Sequence, residues 1–252
     1  MIYLKSASEI EKMKEAGRIV YETFDVLQKN IKPGITTAEL DKIAYDFITS
    51  QGAKPSFLNY CGYPASVCAS VNDTVIHGIP SNKIKLKEGD IISLDIGAVK
   101  NGFHGDAART YPVGKISDEA QRLIDVTRES FYEGLKYVRH GERLGTVQAA
   151  IQNYVEKNGF SIVRNYCGHG IGRQMHESPE IPNYGTAGKG IRLAKGMTIA
   201  IEPMVNYGKA DTYCLSDGWT VKTCDGSNAA HYENSILITD GEPFLLTSYD
   251  KE

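Results

Sequence analysis

Apolar residues recur at helical spacing in four stretches of this chain and alternate through much of the remainder. In the first stretch Ile10, Met13, Gly17, Val20, Phe24 and Leu27 line one face of a helix. A capping box at Ser8 and Glu11 opens it and Pro33-Gly34 ends it. A second box, Thr36 with Glu39, opens a helix carrying Leu40, Ile43, Ala44, Phe47 and Ile48 that stops near Gly52. From about 54 to 114 the sequence turns to strand and loop, rich in Gly, Pro, Val and Ile. The pattern then recurs. Ser117 starts a helix with Ala120, Leu123, Ile124, Phe131, Leu135 and Val138, broken at Gly141. A shorter one carries Val147, Ile151, Tyr154 and Val155 and ends at Gly159, and strand-like sequence fills the rest.

The recurrence extends to the residues themselves. NYCG stands at 59–62 and again at 165–168. GDIISLD at 89–95 matches GMTIAIE at 196–202: a glycine, alternating apolar residues, then a carboxylate. His104-Gly105-Asp106 echoes His231-Tyr232-Glu233, with about 20 extra residues ahead of the second copy. Three matches in one order predict a duplicated half, with repeats of about 1–114 and 115–252 folding as one α+β domain around a shared sheet. The insertion, roughly 207–230, reads as a hairpin in which Trp219-Thr220-Val221 forms a strand.

Composition narrows the function classes. Of 252 residues 41% are apolar and 23% charged, with a net charge of -3, so no basic stripe for nucleic acid or membrane is expected. MIYLKSASEI shows no signal-peptide pattern, and no run nears the ~18 apolar residues of a membrane helix. Five irregularly spaced cysteines, Cys61, Cys68, Cys167, Cys214 and Cys224, argue against a disulfide framework and for a reducing cytoplasm.

The chemistry concentrates in DIISLDIGAVKNGFHGDAARTYPV, 90–113. Asn101-Gly102 predicts a two-residue hairpin turn, which puts Lys100 opposite Phe103, Gly97 opposite Asp106 and Asp95 opposite Ala108. Asp95 and Asp106 then become diagonal neighbours on one face, roughly 7–8 Å apart at the backbone. Carboxylates so close repel unless a cation lies between them. The duplicate adds Glu202 at the place of Asp95 and Glu233 at the place of Asp106. Two divalent ions balance four converging carboxylates better than one, and a pair roughly 3.5–4 Å apart can activate a water. His169, between glycines in NYCGHGIGRQMHESPEIP, supplies an imidazole, and such a donor set suits Mn, Fe, Co or Zn. His77 in VIHGIP and His176 are candidates for substrate contacts, whereas Glu142 and Glu177 read as surface carboxylates. GHGIGR lacks the glycine spacing of a dinucleotide loop, and GTAGKG is no phosphate loop because no Ser or Thr follows its lysine.

The set Asp95, Asp106, His169, Glu202 and Glu233, together with GHGIGRQMHE, GMTIAIEPMV and DGWTVKT, resembles type I methionine aminopeptidase in its short bacterial form, from about residue 3 to 247. The resemblance implies the pita-bread fold, in which two pseudo-symmetric halves enclose a dimetal centre. It implies that a water bridging the ions attacks the first peptide bond, with Glu202 shuttling the proton and His176 stabilising the transition state. His77 would then contact the backbone near the leaving nitrogen. Tyr60, Tyr63, Cys68, His77 and Trp219 would receive the methionine side chain, with a small second residue preferred. Phe57 and Met175 depart from what the family commonly has there. Amino termini of nascent chains are the implied partners, with ribosome association and a monomeric state expected. An Xaa-Pro peptidase of the same fold and a non-catalytic peptide-binding module are the alternatives.

Overall fold

The structure is a computed structural model and describes residues 1–248. Its first half runs α1 (Ala7–Gln28), α2 (Thr37–Ser50), β1 (Lys54–Pro55), β2 (Val67–Val71), β3 (Thr74–Ile76), β4 (Ile91–Lys100) and β5 (Phe103–Pro112). The second runs α3 (Asp118–Leu135), α4 (Leu144–Lys157), β6 (Ser161–Ile162), β7 (Gly168–Gly170), β8 (Glu177–Ile181), β9 (Thr198–Ile201) and β10 (Met204–Asn206). It closes with β11 (Thr212–Cys214), β12 (Val221–Thr223), β13 (Ala229–His231), β14 (Asn234–Leu237) and β15 (Phe244–Leu245). Thr37 and Leu144, Ser50 and Lys157, Lys54 and Ser161 are each 107 residues apart, as are Asp95 and Glu202. The two halves are pseudo-symmetric, as the motifs predict.

Each half has its own core. α1 and α2 bury Ile19, Val20, Phe24, Leu27, Leu40, Ala44 and Ile48 against Ile92, Leu94, Ile96 and Ala107 of β4 and β5. α3 and α4 bury Leu123, Val126, Phe131, Val147 and Ile151 against Ile199, Ile201, Val205 and Ile236 of the second half. The helices stay on one side because their apolar stripes face the strands. Local signals open α2 and α3 where expected, but α3 stops at Leu135, ahead of Val138 and Gly141, because the chain there tightens into a turn with the Val138 N–H donating to the Leu135 carbonyl at 3.0 Å. Thr36 and Ser117 cap α2 and α3 as expected, their hydroxyls accepting from Glu39 N–H and Ala120 N–H. α1, however, begins two residues early. Its box is Ser6 with Glu9, the Ser6 N–H donating to Glu9 Oε2 at 2.9 Å, and the helix ends at Gln28, ahead of Pro33-Gly34.

β4 pairs with β5 along its whole length through the Asn101-Gly102 turn, in the expected register: Lys100 opposite Phe103, Gly97 opposite Asp106, Asp95 opposite Ala108. β2 and β1 occupy the other edge of β4. The second half builds the order β15-β14-β9-β7-β8 and the smaller ladder β13-β10-β6, while its β11-β12 pair joins β3 of the first half. The insertion is a hairpin of β11 and β12, but its second strand begins at Val221. Trp219 and Thr220 stay in the turn because the Asp217 carboxylate accepts both their N–H groups at 2.8 Å. Among the described residues no helix is long and apolar enough to cross a membrane.

Candidate metal centre and substrate cavity

Five acidic and imidazole side chains converge where the halves meet. Asp95 projects from the middle of β4 and Asp106 from β5, brought to the same face by the hairpin register. His169 sits in β7 between Gly168 and Gly170, where the backbones of Ala200 and Ser178 leave no room for a Cβ at either glycine. Glu202 follows β9 directly, and Glu233 stands between β13 and β14. Donor atoms of Asp106, His169 and Glu233 lie within 4.8 Å of one another. His169 Nε2 is 3.7 Å from Asp106 Oδ2 and 3.7 Å from Glu202 Oε1, while Asp95 lies diagonally across the hairpin from Asp106 and lines the same cavity. All five residues expected from the sequence are thus brought together.

Their electrostatics call for a cation. Desolvation pushes the Asp95 carboxyl up to about 7, and burial plus the neighbouring Glu233 and Asp95 charges raise Asp106 well above the carboxylate range. Burial and the Asp95 and Asp106 charges raise Glu202, and burial and the Glu202 and Asp95 charges raise Glu233. Asp95 Oδ1, Asp106 Oδ1 and Glu233 Oε1 are buried with no hydrogen-bond partner among the described residues. Burial holds the His169 imidazole down to about 3, so it is neutral. Its Nδ1 lies 2.8 Å from the Gly170 carbonyl, which places the proton on Nδ1 and leaves Nε2 as a lone-pair donor. Orphaned carboxylate oxygens beside a neutral imidazole fit a divalent cation of the hard or borderline kind.

The same residues form one end of a cavity of about 330 Å³. Phe57, Tyr63, Cys68 and Met175 pack together as its apolar wall, with Tyr60 and Trp219 against them. Every residue expected to meet substrate lines it: Tyr60, Tyr63, Cys68, His77, His176 and Trp219. Tyr60 Oη is 2.7 Å from His176 Nδ1. The His176 ring stacks edge-on to that of His169, with centroids 4.3 Å apart. His77 adopts φ 57°, a left-handed conformation rare for its residue type, with the rings of Tyr166 and Trp219 edge-on to it at 6.0 and 6.2 Å. Tyr63 offers its ring alone, since its hydroxyl donates to the Val67 and Gly78 carbonyls at 3.1 Å. Cys61 also lines the cavity; its thiol is exposed and its φ is 50°.

Three supporting residues escaped the sequence reading. His231 is buried, and its Nε2, 3.7 Å from Glu202 Oε2, has no hydrogen-bond partner among the described residues; its place in the echo of His104 was the available signal. The Asn183 amide donates to the Glu202 carbonyl oxygen at 3.0 Å. Glu177 is no surface carboxylate: it forms an ion pair with Lys5 at 2.6 Å, the two side chains only 10% and 5% exposed. This pair ties the amino-terminal segment to the loop carrying His176.

A family model for metallopeptidase family M24 matches residues 11–240, and the chain belongs to that family. It is similar to the methionine aminopeptidase of Clostridium acetobutylicum, 54% identical over 247 residues that cover 98% of this chain and 99% of that one. Methionine aminopeptidase 1 of Bacillus subtilis is 55% identical over the same shares. A crystal structure of methionine aminopeptidase from Thermotoga maritima aligns with a TM-score of 0.97 at 46% identity, covering 99% of this chain and all of that one. These full-length likenesses put the chain in the methionine aminopeptidase branch of the family.

Proposed function

We propose that this chain hydrolyses the first peptide bond of polypeptides that begin with methionine, as a metal-dependent exopeptidase. The observation that carries the reading is one cavity with three orphaned carboxylate oxygens beside His169 at one end and an apolar wall at the other. Asp95, Asp106, His169, Glu202 and Glu233 would hold the metal. Two ions fit this reading because Asp106 lies within reach of both Asp95 and His169. Bound divalent cations supply Lewis-acid charge at the scissile carbonyl and lower the pKa of the attacking water.

The protein's own groups do the rest. Glu202, whose Oε1 lies 3.7 Å from His169 Nε2 at the centre of the site, accepts a proton during attack and returns it to the leaving amine. With the Tyr60 hydroxyl donating to His176 Nδ1, Nε2 carries the ring proton and donates to the carbonyl oxygen as charge develops there. His77 meets the backbone at the leaving nitrogen, and the rings crowding it favour a small second residue. Phe57, Tyr63, Cys68, Met175 and Trp219 receive the methionine side chain, whose thioether suits aromatic neighbours. The whole chain acts as one catalytic domain, a monomer meeting nascent amino termini in the cytoplasm at or near the ribosome.

Metal-stripped protein is assayed on Met-Ala-Ser with added Mn, Co, Fe or Zn, beside Asp106→Asn. Activity that appears with metal and is lost in the variant supports the reading. Turnover of Xaa-Pro peptides in place of Met-Ala-Ser would replace it with the prolyl peptidase alternative, and no turnover by folded protein would leave only a binding module.

A further inference from the structure

The two halves meet along a seam where β5 runs antiparallel to residues 231–235, and three rungs cross it. The middle rung is a direct peptide-to-peptide hydrogen bond, Glu233 N–H donating to the Ala108 carbonyl at 2.9 Å. The rungs on either side pass through a side-chain hydroxyl. Ser235 Oγ accepts from the Asp106 N–H at 3.0 Å and donates to the Asp106 carbonyl at 2.9 Å. Thr110 Oγ1 accepts from the His231 N–H and donates to the His231 carbonyl, both at 2.9 Å. Ser93 Oγ lies 2.8 Å from Thr110 Oγ1. Since the Thr110 proton is committed to His231, Ser93 is the donor in that contact. Ser93, Thr110 and Ser235 are all buried, so water does not compete for these bonds.

The three rungs hold the peptides of two acidic ligands and of a histidine that faces a third. Ser235 grips the peptide of Asp106 and the middle rung grips that of Glu233. Thr110 grips His231, whose Nε2 faces Glu202 Oε2 at 3.7 Å. Direct ladder bonding would draw the strands to ~4.8 Å, and an interposed hydroxyl holds its rung wider. Metal ligation tolerates only about ±0.2 Å in donor distance, so the width of this seam matters to any ion between the halves.

We propose that Ser235 and Thr110 are positioning residues that set the spacing of the acidic ligands across the seam. The proposal rests on the metal-centre reading above. Ser235→Ala and Thr110→Val delete the hydroxyls and leave the peptide groups of Asp106 and His231 without those partners. Calorimetric titration of metal-stripped protein with Mn²⁺, beside thermal unfolding of the metal-free forms, separates affinity from stability. Leu123→Ala, in the α3 core, is the control that loses stability away from the seam. The expected result is Mn²⁺ affinity weakened by about tenfold or more in both hydroxyl variants and unchanged in Leu123→Ala. Ser235→Thr, which keeps a hydroxyl, retains wild-type affinity. Wild-type affinity in Ser235→Ala and Thr110→Val would overturn the proposal, making the hydroxyls mere staples of the fold. Equal weakening in Leu123→Ala would also overturn it. Absence of Mn²⁺ binding by the wild type would instead sink the metal-centre reading, and this proposal with it. Should Ser235→Ala fail to fold, Thr110→Val carries the same comparison.

Discussion

The Tyr60 hydroxyl is the polar partner of His176 Nδ1, and in the proposed mechanism it donates there and leaves the ring proton on Nε2. Tyr60→Phe keeps the ring on the cavity wall and removes only that hydrogen bond, worth about 0.5–1.5 kcal/mol. The expected outcome is kcat on Met-Ala-Ser reduced by about three- to tenfold with KM nearly unchanged. His176→Ala is expected to cost about 10²-fold or more, since it removes the donor itself. A Tyr60→Phe enzyme with wild-type kcat would show that His176 is oriented by other contacts. Asp95, Asp106, Glu202 and Glu233 were legible because each sits in a duplicated strand motif whose register is local, and His169 because glycines flank it. The pairing of Lys5 with Glu177, 172 residues apart in sequence, was not, since no local pattern distinguishes Glu177 from a solvated carboxylate.

α1 crosses β5 at two glycines. A Cβ on Gly105 would stand 2.9 Å from the Gly17 nitrogen and 3.0 Å from the Ala16 carbonyl carbon, so helix and strand touch backbone to backbone. Gly105 immediately precedes Asp106, so space made here is taken from the metal centre. Gly105→Ala is expected to cost about 1–3 kcal/mol by overpacking and to weaken metal binding along with it. Thermal unfolding and a metal titration on one preparation check both, and a variant of unchanged affinity would show that α1 yields and β5 does not. The need for these glycines is tertiary and does not show in the sequence. The start of α1 was misjudged for a related reason: Ser6 with Glu9 and Ser8 with Glu11 both satisfy the capping pattern. The choice falls to Ser6 because the Lys5 N–H donates to the Gly196 carbonyl at 2.7 Å, holding the chain extended up to that point. The β4–β5 hairpin was fully legible because Asn101-Gly102 specifies its own turn.

The pH response of the molecule follows from two opposed groups of buried side chains. Without metal, the folded state keeps carboxyl protons that the unfolded chain releases: Asp95 titrates near 7 against an ordinary 3.8. Asp106, Glu202 and Glu233 are displaced in the same direction. The folded state also refuses protons that unfolded histidines bind at 6.5, with His77 held to about 4 and His169 and His231 to about 3. Below 6.5, rising pH therefore gains stability through the histidines and loses it through the carboxylates. Above 6.5 only the loss remains, so the metal-free Tm is expected to fall from pH 6.5 to about 8. A bound divalent cation removes that fall by favouring the ionised carboxylates. Scanning calorimetry with and without Mn²⁺ across this range tests it, and parallel slopes in both would contradict it. The two-half architecture was legible because the repeats keep their element spacing. The seam was not, because hydroxyl-bridged rungs leave no periodic trace.

The exposed thiol of Cys61 on the cavity wall makes the protein its own gauge of occupancy. Cys214 and Cys224 are also exposed but stand outside that lining, so they serve as internal references. Under a maleimide pulse read by mass spectrometry, a peptide seated in the cavity slows labelling at Cys61 and leaves the other two unchanged. Binding can thereby be followed without turnover, in variants that have lost catalysis altogether.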